Sequence, residues 1–367
     1  MILNRANDAW PFLVVLGVLV FIHELGHYLA ARWRGVHVEA FSIGFGRALV
    51  SWQDRHGTTW KLAWIPLGGY VKLHGQEQPE DVTEEVRASW RAGETFHEKS
   101  VLSRAIVVAA GPAANFLLAA CLFAGLFMFN GRAVTTPLVN DVVALSPAER
   151  AGLRSGDRID SVDGVAIARF EDVVAAVSSR PGKTVAIQIT RQGLTQMVEA
   201  TLEARSVGSH MTGVLGVKGG EVTYERMNPL AAIPAGIAQT WDVGAQTLDG
   251  VWGMISGARG TDDLGGPVRI AQLSSQVAKL GIASLIGFIA VLSVNLGLIN
   301  LFPVPVLDGG HLTFYAFEAL RGRPLPPKAV EVCFRVGLAL LLALFVFATW
   351  NDLSHLGLFR WVASILA

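Results

Sequence analysis

The sequence predicts an α-helical membrane protein with about four transmembrane helices, a membrane-associated β-hairpin and an inserted α+β domain. Three observations predict it. Of 367 residues, 51% are hydrophobic and 16% charged, against roughly 25% charged in soluble domains. Four apolar stretches reach the ~20 helical residues needed to cross about 30 Å of hydrocarbon. The segments between them carry strand-like runs punctuated by Gly and Pro. The formal net charge is +0, so the lipid bilayer is the expected partner and nucleic acid is not.

The N-terminal membrane core is expected over 1–134. Its first span runs from Trp10 to Ala31. Arg5 and the apolar run after it resemble the start of a secretory signal peptide. No small-x-small cleavage site follows; His23-Glu24 stands there instead, which favours a span. The span contains His23-Glu24-Leu25-Gly26-His27. On a helix, residues i and i+4 share a face, with Cβ atoms about 5–6 Å apart. Two imidazoles so placed hold one Zn²⁺, and the Glu between them is poised against a water. Ionisable groups inside hydrocarbon are costly, and a chain that keeps three there uses them.

Thr58 to Leu73 reads as a hairpin with an irregular turn, because aromatic and β-branched runs flank Pro66, Gly68 and Gly69. Non-helical backbone at membrane depth survives where protein or a water-filled cavity covers it. The hairpin is therefore placed beside the metal site, with an edge free to pair with an extended peptide. Gly68, Gly69, Tyr70 and Val71 become candidate substrate-binding residues; an ordinary hairpin outside the bilayer is the plainer alternative. Gln76 to Glu98 is polar and reads as a surface loop. The second span follows over 101–129.

The inserted domain is expected over 135–220, from strand-like Val139–Val143 and Thr184–Thr190 around helix-like Phe170–Ser178. An amphipathic connector covers 221–278. Within it Pro229–Ile255 is apolar at helical spacing, and Trp241 and Trp252 suit a membrane interface. Leu264–Val268 breaks the pattern. The C-terminal membrane core, 279–367, holds spans over about 280–301 and 330–350, and a tail from Leu353 suited to the membrane surface. Cys121 and Cys333 both lie in apolar runs and read as packing residues without a disulfide.

Lys and Arg set the orientation. Arg32, Arg34, Arg47, Lys61, Lys72, Lys99 and Arg104 fall between the first two spans, and Arg321, Arg323 and Lys328 between the last two. The positive-inside rule places both segments in the cytoplasm and the middle domain outside. His23 and His27 then lie in the inner half of the first span. The third span also runs inward, so Asp308 emerges after it at the same depth. Catalytic zinc sites use three protein ligands and an open position. Ala30 and Trp33 stand where metzincins place the glycine and third histidine of their motif, so Asp308 is the candidate third ligand. Gly309 and Gly310 beside it permit close backbone approach. Glu24 is the candidate general base. Asn300 offers an amide donor for an oxyanion or the substrate backbone. His311 is expected in a solvated loop, with a place behind the metal ligands as the alternative, Glu318 as a solvated or helix-end carboxylate, and His74 among ordinary surface or interface residues.

Two family resemblances follow from motifs. Ser146-Pro147-Ala148 through Ala151-Gly152-Leu153, Gly156-Asp157-Arg158-Ile159 and Val162-Asp163-Gly164 resemble a PDZ domain of the bacterial, circularly permuted kind. PDZ domains bind peptide ends by strand addition, so a peptide ligand or a plain size filter are the two roles implied. The whole chain resembles the site-2 protease family of intramembrane zinc metalloproteases (M50), and most closely the bacterial regulator-of-sigma-E protease group. His23-Glu24-Leu25-Gly26-His27 matches its first motif, and Asn300-x-x-Pro303-x-Pro305-x-Leu307-Asp308-Gly309 its second. Phe41–Gly46, Gly68–Val71 and Gly111-Pro112-Ala113-Ala114-Asn115-Phe116 look like further signatures. The resemblance implies cleavage of membrane-spanning substrates, of which anti-sigma factors are the bacterial type, after a first protease has trimmed them. It implies the bacterial inner membrane, with the PDZ domain periplasmic. One PDZ domain is legible where some relatives carry two. A non-catalytic PDZ membrane adaptor or transporter is the alternative.

Overall fold

The computed structural model describes residues 10–76, 82–207, 210–258 and 265–355. Residues 77–81 of the polar loop and the tail beyond 355 lie outside them. Four described helices are long and apolar enough to cross a membrane: α1 (Trp10–Trp33), α3 (Val101–Phe129), α8 (Ile282–Leu301) and α10 (Pro327–His355). The chain forms two compact units. One comprises the chain up to Leu126 and from Pro229 onward, and the other is Phe127–Asn228.

In the first unit, small residues let the spans touch. A methyl group at Gly26 of α1 would overlap the Ala110 carbonyl of α3, and Gly297 of α8 faces the Phe116 ring and the Pro112 carbonyl. In lipid the apolar surface gains nothing by leaving solvent, so helices associate through such close backbone contacts. Val15 and Leu19 of α1 and Leu285 and Ile289 of α8 complete a buried cluster. α6 (Pro229–Ile255) follows the same logic. Its buried residues Ala232, Gly236, Thr240 and Gly244 recur every fourth position, and Gly236 fits against Ala120 and Ala124 of α3. Leu230, Ile237, Trp241 and Trp252 point outward. The segment expected as an amphipathic connector thus presents small residues to the spans and large apolar ones away from them. α7 (Pro267–Lys279) is capped by Asp352 of α10, whose carboxylate accepts the backbone N–H groups of Gly266, Val268 and Arg269 at 2.9–3.1 Å. These are N–H groups that a helix leaves unpaired at its start.

β1 (Val38–Gln53) and β2 (Thr59–Leu73) are both long and both bent. Ala40–Ile43 pairs with Gly69–Lys72 on one side and with Thr59–Leu62 on the other, and Thr59–Ala63 pairs again with Ala48–Gln53. The result is four strand segments, with Gly69–Leu73 at one edge. The predicted hairpin over 58–73 is therefore corrected: that stretch is one strand, and its partner is β1. Pro66, Gly68 and Gly69 mark the bend within it, and Gly44 and Gly46, with φ near +87° and +88°, mark the bend in β1. The chain reversal lies at 54–58. Asp54 accepts the His56 and Thr58 N–H groups with one oxygen, and the Trp60 indole and Tyr28 hydroxyl with the other. Burial works against its ionisation, but these donors hold the carboxyl down at about 2. A short helix, α2 (Glu84–Ala88), follows, and α9 (Asp308–Arg321) continues from α8 after a proline-rich turn.

The second unit pairs β3 (Arg132–Thr135) with β12 (Val222–Glu225), β4 (Val139–Val142) with β11 (Val217–Gly219), and β9 (Glu203–Val207) with β10 (His210–Val214). A four-stranded sheet has the order β6-β5-β7-β8, from Val165–Ala166, Arg158–Val162, Thr184–Arg191 and Leu194–Thr201. Strand pairing thus extends past 135–220 at both ends. Alternate residues of β7, Val185, Ile187 and Ile189, are fully buried, as the two-residue period of a strand requires. α4 (Pro147–Arg150) is capped by Ser146, and α5 (Phe170–Ser178) buries Val173 and Val177. Asp157, with its side chain 1% exposed, takes both Arg191 Nε and Nη2, at 2.6 and 2.7 Å.

Candidate metal centre and active site

His23 and His27 leave the same face of α1, and their Nε2 atoms lie 3.3 Å apart. Asp308, the first residue of α9, brings Oδ2 to 3.2 Å from the first and 3.5 Å from the second. Ligands set tetrahedrally about 2.1 Å from a zinc ion lie about 3.4 Å from one another, so the three atoms already stand at the corners of such a figure. Asp308 Oδ2 is buried and is not placed to accept a hydrogen bond from either imidazole. A buried acceptor left so costs about 1–3 kcal/mol; a cation among the three atoms would engage every lone pair at once. Among the described residues this is the one cluster of its kind.

The chain reaches this arrangement through glycine and proline. A methyl group at Gly309 would overlap the Leu301 and Phe302 carbonyls, and one at Gly310 the Val304 carbonyl. The turn before them includes Val306 at φ +94°, a backbone state that β-branched residues avoid. Together these press the start of α9 against the end of α8 and aim Asp308 at α1.

The outward ring nitrogens face α3. His27 Nδ1 lies 2.9 Å from the Val107 carbonyl, and His23 Nδ1 lies 3.2 Å from the Asn115 amide nitrogen Nδ2. Between them, a methyl group at Gly111 would overlap both rings. Sequence reasoning assigned this helix no part in the site. The signal was present in Asn115 itself, a polar side chain within an apolar span.

His23, Glu24, His27, Tyr70, Asn300 and Asp308 line one cavity of about 560 Å³, together with Gly69 and Val71. A methyl group at Gly69 would press on the Glu24 and Val20 side chains, so the sheet edge lies against this face of α1. Gly68 does not line the cavity; at φ +107° it turns the strand beneath the Phe45 ring. On another wall Arg104 of α3 donates to Glu318 at 2.7 Å, and its guanidinium lies 4.9 Å from the Tyr315 ring centre. Burial pushes the Tyr315 hydroxyl up to about 12. Glu318 is a helix-end carboxylate in the last turn of α9, as one of its two expected readings had it, but it is a mostly buried ion-pair partner and not solvated; His311, expected in a solvated loop, lies on α9 against Phe334 and lines the cavity. His74 is buried and bonded to Glu39. Cys121 and Cys333 are free and exposed on their helices, not packed inside.

The pattern for peptidase family M50 matches residues 11–344. A Rhizobium meliloti protein with a zinc-metalloprotease name is 48% identical over 358 residues, which cover 94% of this chain and 96% of that one. Metalloprotease MmpA of Caulobacter vibrioides is 38% identical, covering 96% and 97%. The regulator of sigma E protease of Salmonella typhi is 32% identical, covering 94% and 98%. A solved PDZ domain from a Listeria monocytogenes SdrC-like protein is similar over 23% of this chain and 85% of that one, at 24% identity and a TM-score of 0.19.

Proposed function

The chain belongs to peptidase family M50 and is a zinc metalloprotease; from that premise we propose that it cuts the membrane-spanning segments of proteins already trimmed by another protease. The observation that carries this reading is the convergence of two histidines of one apolar helix with Asp308, beside Glu24, in a chain with four candidate spans among its described residues.

His23 and His27 through Nε2, and Asp308 through one carboxylate oxygen, would hold the Zn²⁺. When bound, the zinc supplies a Lewis acid that polarises a carbonyl and makes water acidic near neutral pH. Glu24 takes the proton from the attacking water and later delivers it to the leaving amine. Asn300 donates its amide to the developing oxyanion or to the substrate backbone. A substrate helix hides its own backbone in its hydrogen bonds, so it must unwind before cleavage. Gly68–Val71, in and beside the edge strand, would receive the unwound segment as an added strand.

The name of the Salmonella relative supports anti-sigma-factor-type substrates. The second unit, read as a single PDZ domain from its motif, would select substrates by binding a trimmed end or by size. The distribution of Lys and Arg supports the bacterial inner membrane, with that unit outside and the metal toward the cytoplasm.

Glu24→Gln tests the reading. The variant should keep about one zinc per chain, since Glu24 is outside the set of three ligands, and should lose cleavage of a model membrane substrate by at least ~100-fold. His23→Ala and Asp308→Ala should lose the metal. Full activity in Glu24→Gln eliminates Glu24 as the base.

A further inference from the structure

We propose that Asn115 is a positioning residue: its amide stands with Nδ2 3.2 Å from His23 Nδ1, and a half-turn of that amide sets the side-chain oxygen there to accept the Nδ1–H of the ring and leave Nε2 bare toward the metal. This rests on the ligand set proposed above.

Asn115 is 0% exposed in the middle of an apolar span. Its backbone carbonyl accepts the Ser293 hydroxyl of α8 at 2.8 Å, which pins this turn of α3 in place. Val107, Gly111 and Asn115 are spaced by four and share one face of the helix. That face serves both histidines. A carbonyl oxygen can only accept, so Val107 fixes the proton of His27 on Nδ1 and frees its Nε2. Gly111 provides the space in which the rings sit. Asn115 occupies, for His23, the place that Val107 occupies for His27.

The amide has two orientations that differ only by a half-turn. With its NH₂ toward His23, Nδ1 must accept, and the ring proton moves to Nε2, where it points between Asp308 and His27 and blocks ligation. That orientation also leaves the amide oxygen buried without a partner. With the oxygen toward His23, the proton stays on Nδ1 and both histidines present matching lone pairs. The metal-facing end of His23, which must carry a lone pair to hold a cation, chooses the orientation with the oxygen toward the ring. Partners of this kind fix a ligand's tautomer and orientation, and their loss typically weakens metal binding 10–100-fold.

The test is zinc affinity, measured by chelator competition on the purified full-length protein in detergent. Asn115→Asp keeps an acceptor oxygen and should bind zinc within a few-fold of the unaltered chain. Asn115→Leu keeps the approximate shape and should bind about 10–100-fold more weakly. Equal affinity in the Leu variant, or equal weakening in both, overturns the proposal. ¹⁵N-histidine NMR of the unaltered zinc-loaded protein gives a readout independent of variant folding. Both ligand rings should carry their proton on Nδ1, and a proton on His23 Nε2 overturns the assignment. If the unaltered chain holds no zinc at His23, it is the ligand set that fails.

Discussion

The two imidazoles of the site rest on Gly111, and a single methyl group there would overlap both rings. Glycine inside a helix ordinarily costs about 1 kcal/mol relative to alanine, so Gly111→Ala should stabilise α3 on propensity alone. The prediction runs the other way: zinc binding should fall at least ~10-fold and thermal stability should drop, both measurable on purified protein. An alanine variant that is more stable and binds zinc normally would mean the rings have room to spare. At this scale the sequence was legible where chemistry is local. His23, Glu24 and His27 sit within five residues, and Asp308 is flagged by the prolines and glycines that steer it. Asn115 faces a histidine 92 positions away, and Glu318 pairs with Arg104 across 214. No local pattern announces such pairs, because the packing of α3 against α1 and α9 creates them.

Among the elements, β2 shows what turn chemistry can hide. Pro66, Gly68 and Gly69 read as a turn, yet they bend a strand that continues. The reversal happens instead at Asp54, whose carboxylate collects four donors. Pairing with β1, upstream of the segment, decided the register, and partners are invisible to a window that begins at Thr58. The spans were easier, since length and apolarity suffice. In the second unit, burial opposes ionisation of Asp157, but its bonds to Arg191 and the Arg154 N–H hold its pKa below the ordinary carboxylate value. A folded-state pKa below the unfolded one contributes stability that is complete above the unfolded value, about 3.9, and is lost as pH falls through the folded value. Proteolytic resistance of 127–228 should therefore be steady from neutral pH down to about 4 and decline below it. Arg191→Met strands the buried carboxylate and should cost about 3 kcal/mol of that unit's stability at pH 7. An unchanged unfolding midpoint would show that the pair is idle.

For the whole molecule the proposed orientation has a direct readout. Arg55 is exposed at the β1–β2 reversal, and Arg205 is exposed on β9. Arg55→Cys should react with a membrane-impermeant maleimide only after the membrane is opened, and Arg205→Cys should react in intact spheroplasts. Cys121 and Cys333 lie on membrane-spanning helices and should give little background. The reverse pattern would place the metal on the other side. The arrangement of ligands also bears on how the protein is made. Asp308 follows His27 by 281 positions (308 − 27), so, with the ligand set proposed above, a chain still leaving the ribosome would carry the histidines long before their third partner exists. Synthesis proceeds from the N-terminus, and a product that stops short of α9 would be inert. Under the proposed ligand set, hydrolytic competence would wait until α9 has been made, which would shield the newborn polypeptide and its neighbours from premature cutting.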